Sequence, residues 1–266
     1  AEARWLASEG VKELILVAQD PTAYGEDWGK PGAVCELLDK LQTIAGLKWI
    51  RVLYAYPERI SDEFIAAMVR NTKVVPYLDL PIQHCDDAVL KAMNRRGGRK
   101  EIEDAIARLR AAIPGITLRT TLIAGFPGET EEQYAELCDF VKTVKFDRLG
   151  CFAYSAEENT VAARMDGQLD EETKQRRADH IMELQALISA EKEEEKVGRV
   201  LECICDGVDE ESGSYLLRSQ ADCPEIDGNV IVESETPLEP GAFYRVKITD
   251  ADTYDLYGTV EEKVED

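Results

Sequence analysis

From Val11 to Ser155 the chain alternates between short, β-rich apolar runs and amphipathic helical stretches. The strand patterns fall at Val11–Asp20, Trp49–Pro57, Tyr77–Gln83, Ile116–Gly125 and Arg148–Ser155. Between them lie helical patterns at Val34–Ala45, Ser61–Arg70, Asp86–Arg95, Glu101–Ile113 and Glu131–Lys145. Parallel strands must be joined by a crossover, usually a helix, so this repetition predicts a parallel α/β fold with five strands.

Alternation within the strands assigns the faces. In Ile116–Gly125 one parity holds Leu118, Thr120, Leu122 and Ala124, and the other holds Arg119, Thr121, Ile123 and Gly125. In Tyr77–Gln83 one parity holds Leu78, Leu80 and Ile82, and the other Asp79, Pro81 and Gln83. The apolar parity is expected under the helices. An open doubly wound sheet buries both faces in helices and seldom carries a mid-strand charge. A closed or partly closed barrel gives the mixed face an interior, so a barrel is the expected architecture, with Asp79 and Arg119 as partners on neighbouring strands.

A long helical pattern spans Asp170–Arg199 and ends in the charge run Glu191–Lys196, read as a solvated helix face. From Val200 onward the texture changes. Five short strand patterns, Val200–Val208, Tyr215–Gln220, Asn229–Ser234, Phe243–Ala251 and Leu256–Glu262, are separated by turn signals without helices. They predict a small five-stranded antiparallel barrel over residues 200–266, after a larger unit over 1–199. The small unit holds 18 acidic against 4 basic residues, so it carries −14 of the formal net charge of −22.

That charge argues against nonspecific binding to nucleic acid or anionic membranes, which require clustered cations, and suits a basic partner. No apolar run reaches the ~20 residues of a membrane span. The N-terminal stretch opens in an amphipathic helical pattern rather than a secretion signal, so a cytoplasmic location is expected. The seven cysteines are irregularly spaced and are read as reduced thiols, mostly small core hydrophobes. Cys203 and Cys205 share one strand face, but two ligands without a nearby histidine make no metal site.

Chemistry is expected at the C-terminal strand ends, as in parallel α/β barrels. Those ends are Gln19-Asp20, Tyr56-Pro57-Glu58, Gln83-His84, Gly125-Phe126-Pro127-Gly128 and Tyr154-Ser155. The segment Ile123–Thr130 is the sharpest, because its glycines let a ligand lie against backbone at a helix N-terminus. No nucleophile–base pair can be named, and His84 reads equally as a hydrogen-bonded loop histidine.

LVAQDPTAYG (16–25), RVLYAYPERI (51–60), YLDLPIQHCDDAVLKAMNRRGGR (77–99), LRTTLIAGFPGETEEQY (118–134), FAYSAEENT (152–160) and DCPEIDGNVIV (222–232) resemble the methylthiotransferase branch of the radical S-adenosylmethionine (SAM) enzymes. The likeness is strongest to the RimO family, which methylthiolates an aspartate of small-subunit ribosomal protein twelve. It implies a partial (β/α)6 TIM-like barrel followed by a TRAM domain, a small OB-like barrel. The family's radical domain begins with a strand and a CxxxCxxC loop that binds a 4Fe-4S cluster. No such motif occurs here, so the chain is expected to be a fragment, inactive alone, with cluster ligands absent. Two smaller departures are Asn159, where the family usually has Gly, and Cys223, where it usually has Ala; Asn tolerates the left-handed backbone region.

The resemblance further implies reductive cleavage of SAM by a cluster electron and hydrogen abstraction from the target carbon. Sulfur is then installed, with a methyl group from a second SAM. Gln19, Asp20, Asp79, Gln83, Arg119, Thr121 and Gly125 are the expected SAM-binding residues. Arg119 would meet the carboxylate, Gly125 the adenine, and Gln19-Asp20 the amino-acid part. The implied partner is a basic small-subunit ribosomal protein; the electron donor is unassigned. The competing readings are a tRNA methylthiotransferase, which the acidic small domain disfavours, and a cluster-less binding module.

Overall fold

The computed structural model describes residues 1–265. The large unit is built from α1 (Glu2–Ser8), β1 (Glu13–Leu16), α2 (Ala33–Gln42), β2 (Trp49–Val52), α3 (Asp62–Arg70), β3 (Val74–Asp79), α4 (Asp87–Ala92), α5 (Arg99–Ala112), β4 (Thr117–Ala124), α6 (Glu131–Val144) and β5 (Arg148–Ala153). Helices α3, α4 and α6 start where a side chain satisfies their free N–H groups. The Ser61 hydroxyl accepts from the Phe64 N–H, with Asp62 and Glu63 in the first turn of α3. Asp86 caps α4, and Thr130 and Gln133 close a capping box on α6.

The five strands lie in sequence order in one all-parallel sheet. Leu118, Thr120, Leu122 and Ala124 are buried, whereas Arg119, Thr121 and Ile123 are half-buried, as the parity predicts. The buried parity joins Leu78, Leu38, Phe140 and Ile181 in the main apolar core. The other face curls into an interior: residues that follow β1 and Phe152 of β5, from opposite edges of the sheet, line one cavity. The third strand is earlier and shorter than the sequence suggests. Pro81 has no N–H for the ladder, so β3 ends at Asp79, and Gln83 rejoins β4 only as an isolated bridge to Leu122. Asn159 adopts a left-handed φ of 65°, which its side chain tolerates.

Helix α7 (Glu171–Glu194) packs across β5 and α6 and leads into β6 (Val200–Val208). The remaining strands are β7 (Tyr215–Ser219), β8 (Val230–Val232), β9 (Phe243–Ala251) and β10 (Leu256–Lys263). They close a barrel in the order β10-β8-β7-β6-β9. Four seams are antiparallel, but β8 and β10 pair in parallel. This corrects the strictly antiparallel expectation: around a ring with an odd number of strands, directions cannot alternate without one like-directed pair.

The small barrel seals the N-terminal end of the parallel sheet. Each of the five parallel strands contributes one residue to a polar floor. Glu13 of β1 pairs with Arg51 of β2 at 2.8 Å and with Arg218 of β7 at 2.9 Å. Arg51 also donates to the Gln220 carbonyl at 2.9 Å. The Tyr77 hydroxyl, on β3, donates to Asp227 at 2.7 Å, and Arg119 of β4 faces the same carboxylate at 3.6 Å. Arg148 of β5 pairs with Asp222 and with Glu193 of α7. Glu193 is therefore buried, which corrects the reading of Glu191–Lys196 as a wholly solvated face. Among the described residues, no helix is long and apolar enough to cross a membrane.

Candidate cofactor-binding site

The parallel strands all point their C-terminal ends to the side opposite the small barrel. A cavity of about 640 Å³ opens there, within the usual range of small-molecule sites. Of the sequence-predicted residues, Gln19, Gln83, Arg119 and Thr121 line it, together with Tyr54 and Phe152. Gln19 and Asp20 also line an adjoining cavity with Tyr56, Arg59 and Arg95. Arg95 stacks on the Tyr56 ring at 4.5 Å and donates to the Pro81 carbonyl, which fixes the wall between the two spaces.

Gln83 is held by backbone. Its N–H donates to the Thr121 carbonyl at 2.9 Å, and its own carbonyl accepts from Ile123 at 2.8 Å. These bonds hold it at a φ of 68°, and its buried Oε1 has no hydrogen-bond partner. Tyr54, at the end of β2, has a φ of 63°. A non-glycine residue in this region costs on the order of 1 kcal/mol or more, and such strain gathers at ligand sites. Here two such residues line one cavity, and one of them brings an unpartnered acceptor.

Asp79 and Arg119 are register partners on β3 and β4, joined at 3.2 Å. The Asp79 carbonyl accepts the Ala55 N–H at 2.9 Å. Burial pushes the Asp79 carboxyl up, against the opposing pull of Arg119. Asp79 thus lies beneath the cavity, fixes Arg119 and ties β3 to the chain beside Tyr54. Asp20 accepts the Thr22 N–H at 3.0 Å and pairs with Arg59 at 2.8 Å, so it shapes the turn after β1.

Gly125 stands apart from the cavity lining. Its φ is +77°, and a Cβ placed there would clash with the Lys174 side chain, so the glycine lets α7 close onto the strand end. Its N–H donates to Glu129. Glu129 is a residue that the sequence reading missed. It is fully buried, pairs with Arg177 at 2.6 Å and faces Nε2 of His84 at 3.5 Å. Nδ1 of His84 accepts the Asp86 N–H, the hydrogen-bonded loop role. Glu before Thr at the end of GFPGET was the available signal: a carboxylate can satisfy the free N–H groups of a glycine turn.

A second cleft, of about 710 Å³, lies at the other end of the sheet, against the small barrel. Of the cations that line it, Arg110 is engaged by the Val144 and Lys145 carbonyls, Arg148 by Asp222 and Glu193, Lys192 by Asp147 and Lys196 by Glu193. None of its non-glycine lining residues has the left-handed backbone of Gln83.

Residues 1–141 match the Radical SAM superfamily, and residues 197–260 match the TRAM domain. The chain belongs to the radical SAM superfamily. Among curated relatives of this radical SAM chain, the ribosomal protein uS12 methylthiotransferase RimO of Desulfitobacterium hafniense is 48% identical over 259 residues. That match covers 97% of this chain and 58% of the relative. The protein of the same name from Pelotomaculum thermopropionicum is 50% identical over 260 residues, 97% of this chain and 58% of the relative. The chain therefore spans less than two thirds of the length of these relatives. Among solved structures, the archaeal Elp3 of Methanocaldococcus infernus aligns over 94% of this chain and 74% of its own, with 15% identity and a TM-score of 0.49.

Superfamily membership implies SAM and a 4Fe-4S cluster, and the residues present fit the two differently. A polar cavity at the strand ends, with a buried orphan acceptor, a guanidinium and a hydroxyl, fits a zwitterionic nucleoside such as SAM. A cluster does not fit. Among the described residues, no three His, Cys, Asp or Glu side chains are grouped to hold a metal. All seven cysteines are free, and six are buried. Burial pushes the Cys85 and Cys151 thiols up to about 12, which disfavours the thiolate that binds iron.

Proposed function

We propose that this chain is the SAM-cradling barrel and TRAM domain of a cytoplasmic methylthiotransferase that modifies an aspartate side chain of ribosomal protein uS12. The observation that carries this reading is that likeness to uS12 methylthiotransferases runs through barrel and TRAM domain alike, at 48% identity over 259 residues. When bound, SAM supplies the radical-generating and methyl-donating chemistry of the superfamily. The chain's own residues bind and orient it. Arg119 offers a guanidinium to the SAM carboxylate, and Gln83 offers its unpartnered Oε1 to an amino or hydroxyl donor. Thr121 and Gln19 complete the polar lining. Asp79 holds Arg119, and Asp20 holds the turn that carries Gln19. Gly125 admits the Lys174 stem, which closes that end of the barrel.

The TRAM domain carries −14, which steers a basic protein rather than an RNA. The experiment is SAM binding by equilibrium dialysis, with Arg119→Met and Gln83→Ala beside the unsubstituted chain. Each substitution is expected to weaken binding about tenfold, the loss from one charged or buried hydrogen-bond partner, with the thermal midpoint preserved. Unchanged affinity in both overturns the cradle. Salt-sensitive retention on immobilised uS12, but not on tRNA, is expected for the partner; the reverse pattern overturns the protein-substrate reading.

A further inference from the structure

The floor and the cavity share one residue. Arg119 lines the cavity at the strand ends, and it also lines a space below, bounded by Arg148, Ile226, Asp227 and Tyr254. Its guanidinium lies between two carboxylates from different domains. Nη1 is 3.2 Å from Asp79 of the sheet, and Nε is 3.6 Å from Asp227 of the TRAM domain. Both carboxylates are almost wholly buried, whereas the Arg119 side chain keeps 21% exposure.

Asp227 is itself held from three sides. The Tyr77 hydroxyl and the Cys223 N–H both donate to Oδ2, at 2.7 and 2.9 Å. The Asp227 N–H donates to the Cys223 carbonyl at 3.1 Å. Tyr77 is fully buried beneath Arg51, whose guanidinium stacks on the ring at 4.5 Å. Asp227 is therefore a rigid carboxylate, delivered by the loop between β7 and β8 into the base of the barrel. A planar guanidinium whose Nε and Nη1 each face a fixed carboxylate has its plane set by both. With Asp79 alone, Arg119 could turn about its one remaining contact.

We propose that Asp227 is a positioning residue for the SAM cavity: the TRAM domain sets the orientation of Arg119 through it. The proposal rests on the reading of Arg119 as a SAM-binding residue. It gives the TRAM domain a second task besides meeting the protein substrate, and it makes SAM affinity depend on how that domain is seated.

The test is a double-mutant cycle on SAM affinity, with Arg119→Met, Asp227→Asn and the double variant. Asp227→Asn is expected to weaken SAM binding about fivefold in the parent chain and to have no further effect beside Arg119→Met. A purely structural role for Asp227 would give losses that multiply instead. Multiplying losses overturn the proposal, as does Asp227→Asn binding SAM like the parent while Arg119→Met does not. If Arg119→Met itself binds SAM like the parent, the cradle reading fails first. Should Asp227→Asn not fold by circular dichroism, Tyr77→Phe loosens Asp227 without changing charge. It is then expected to weaken binding about twofold, again only when Arg119 is present. A Tyr77→Phe effect that persists beside Arg119→Met, or no effect in the parent, overturns the proposal.

Discussion

Glu13, on the first strand of the large unit, and Arg218, on the second strand of the small barrel, meet at 2.9 Å although 205 positions separate them. The same carboxylate takes Arg51 on its other oxygen at 2.8 Å. One buried anion thus serves two buried cations from two domains.

Removing that anion should be felt across both units. Glu13→Ala leaves Arg51 with only the Gln220 carbonyl in a nearly dry site, although Arg218 keeps Asp206, and breaking a buried pair from one side costs about 3–5 kcal/mol. Chemical denaturation should show a loss of that size. A loss below about 1 kcal/mol, the value of a surface pair, would mean that water reaches the floor.

The floor also predicts a pH dependence. Burial alone would raise the Asp222 carboxyl, but Arg148, Lys196 and the Ser219 hydroxyl outweigh it and hold it below the usual carboxylate value. Its folded value is then the lower one. Its contribution is fully present above the unfolded value of about 3.9 and is lost as pH falls through the folded value. Between pH 5 and pH 2, the parent chain should lose more stability than Asp222→Asn. Parallel acid unfolding curves would contradict this.

Gln83 offers a way to separate strain from binding. Gln83→Gly relieves a left-handed backbone that costs on the order of 1 kcal/mol. It also removes the orphaned Oε1. The thermal midpoint is expected to hold or rise, while SAM affinity falls at least about tenfold. A lowered midpoint would show that the side chain supports the fold rather than the ligand.

The thiols should be inert. Six of the seven cysteines are buried, and desolvation raises every one of them. Native labelling with a water-soluble disulfide reagent at pH 8 is expected to be slow and far below seven equivalents, reaching seven in denaturant. Anaerobic reconstitution should leave near-zero iron on this chain. One four-iron cluster per chain would reveal a ligand set that the folded geometry does not show.

Much of this was legible in the sequence because strand alternation has a period of two and survives tertiary context. The parity of Arg119 and Thr121 against Leu118 and Leu122 gave both the buried face and the interior one. The Asp79–Arg119 pair follows from like parity on neighbouring strands. What parity cannot give is register between distant segments. Glu13, Arg51, Tyr77 and Arg148 each look like an isolated polar residue near a strand start. Only the folded chain brings them to Arg218, Asp222 and Asp227. The Glu191–Lys196 run failed for the same reason: composition marks it as solvated, and Glu193 is buried by a partner from β5.

The polar floor has a consequence for how such a protein can be assembled or recombined. Five strands finish a domain whose base is completed by residues made much later, so the large unit emerges with charged groups awaiting their counterions. Nor can the two units be treated as interchangeable parts. A small barrel taken from elsewhere would fit only if it presented a cation where Arg218 stands and carboxylates where Asp222 and Asp227 stand, all at the spacing that five converging strands impose. The junction works like a keyed joint, and a graft that ignores the key should yield two folded bodies that do not seat.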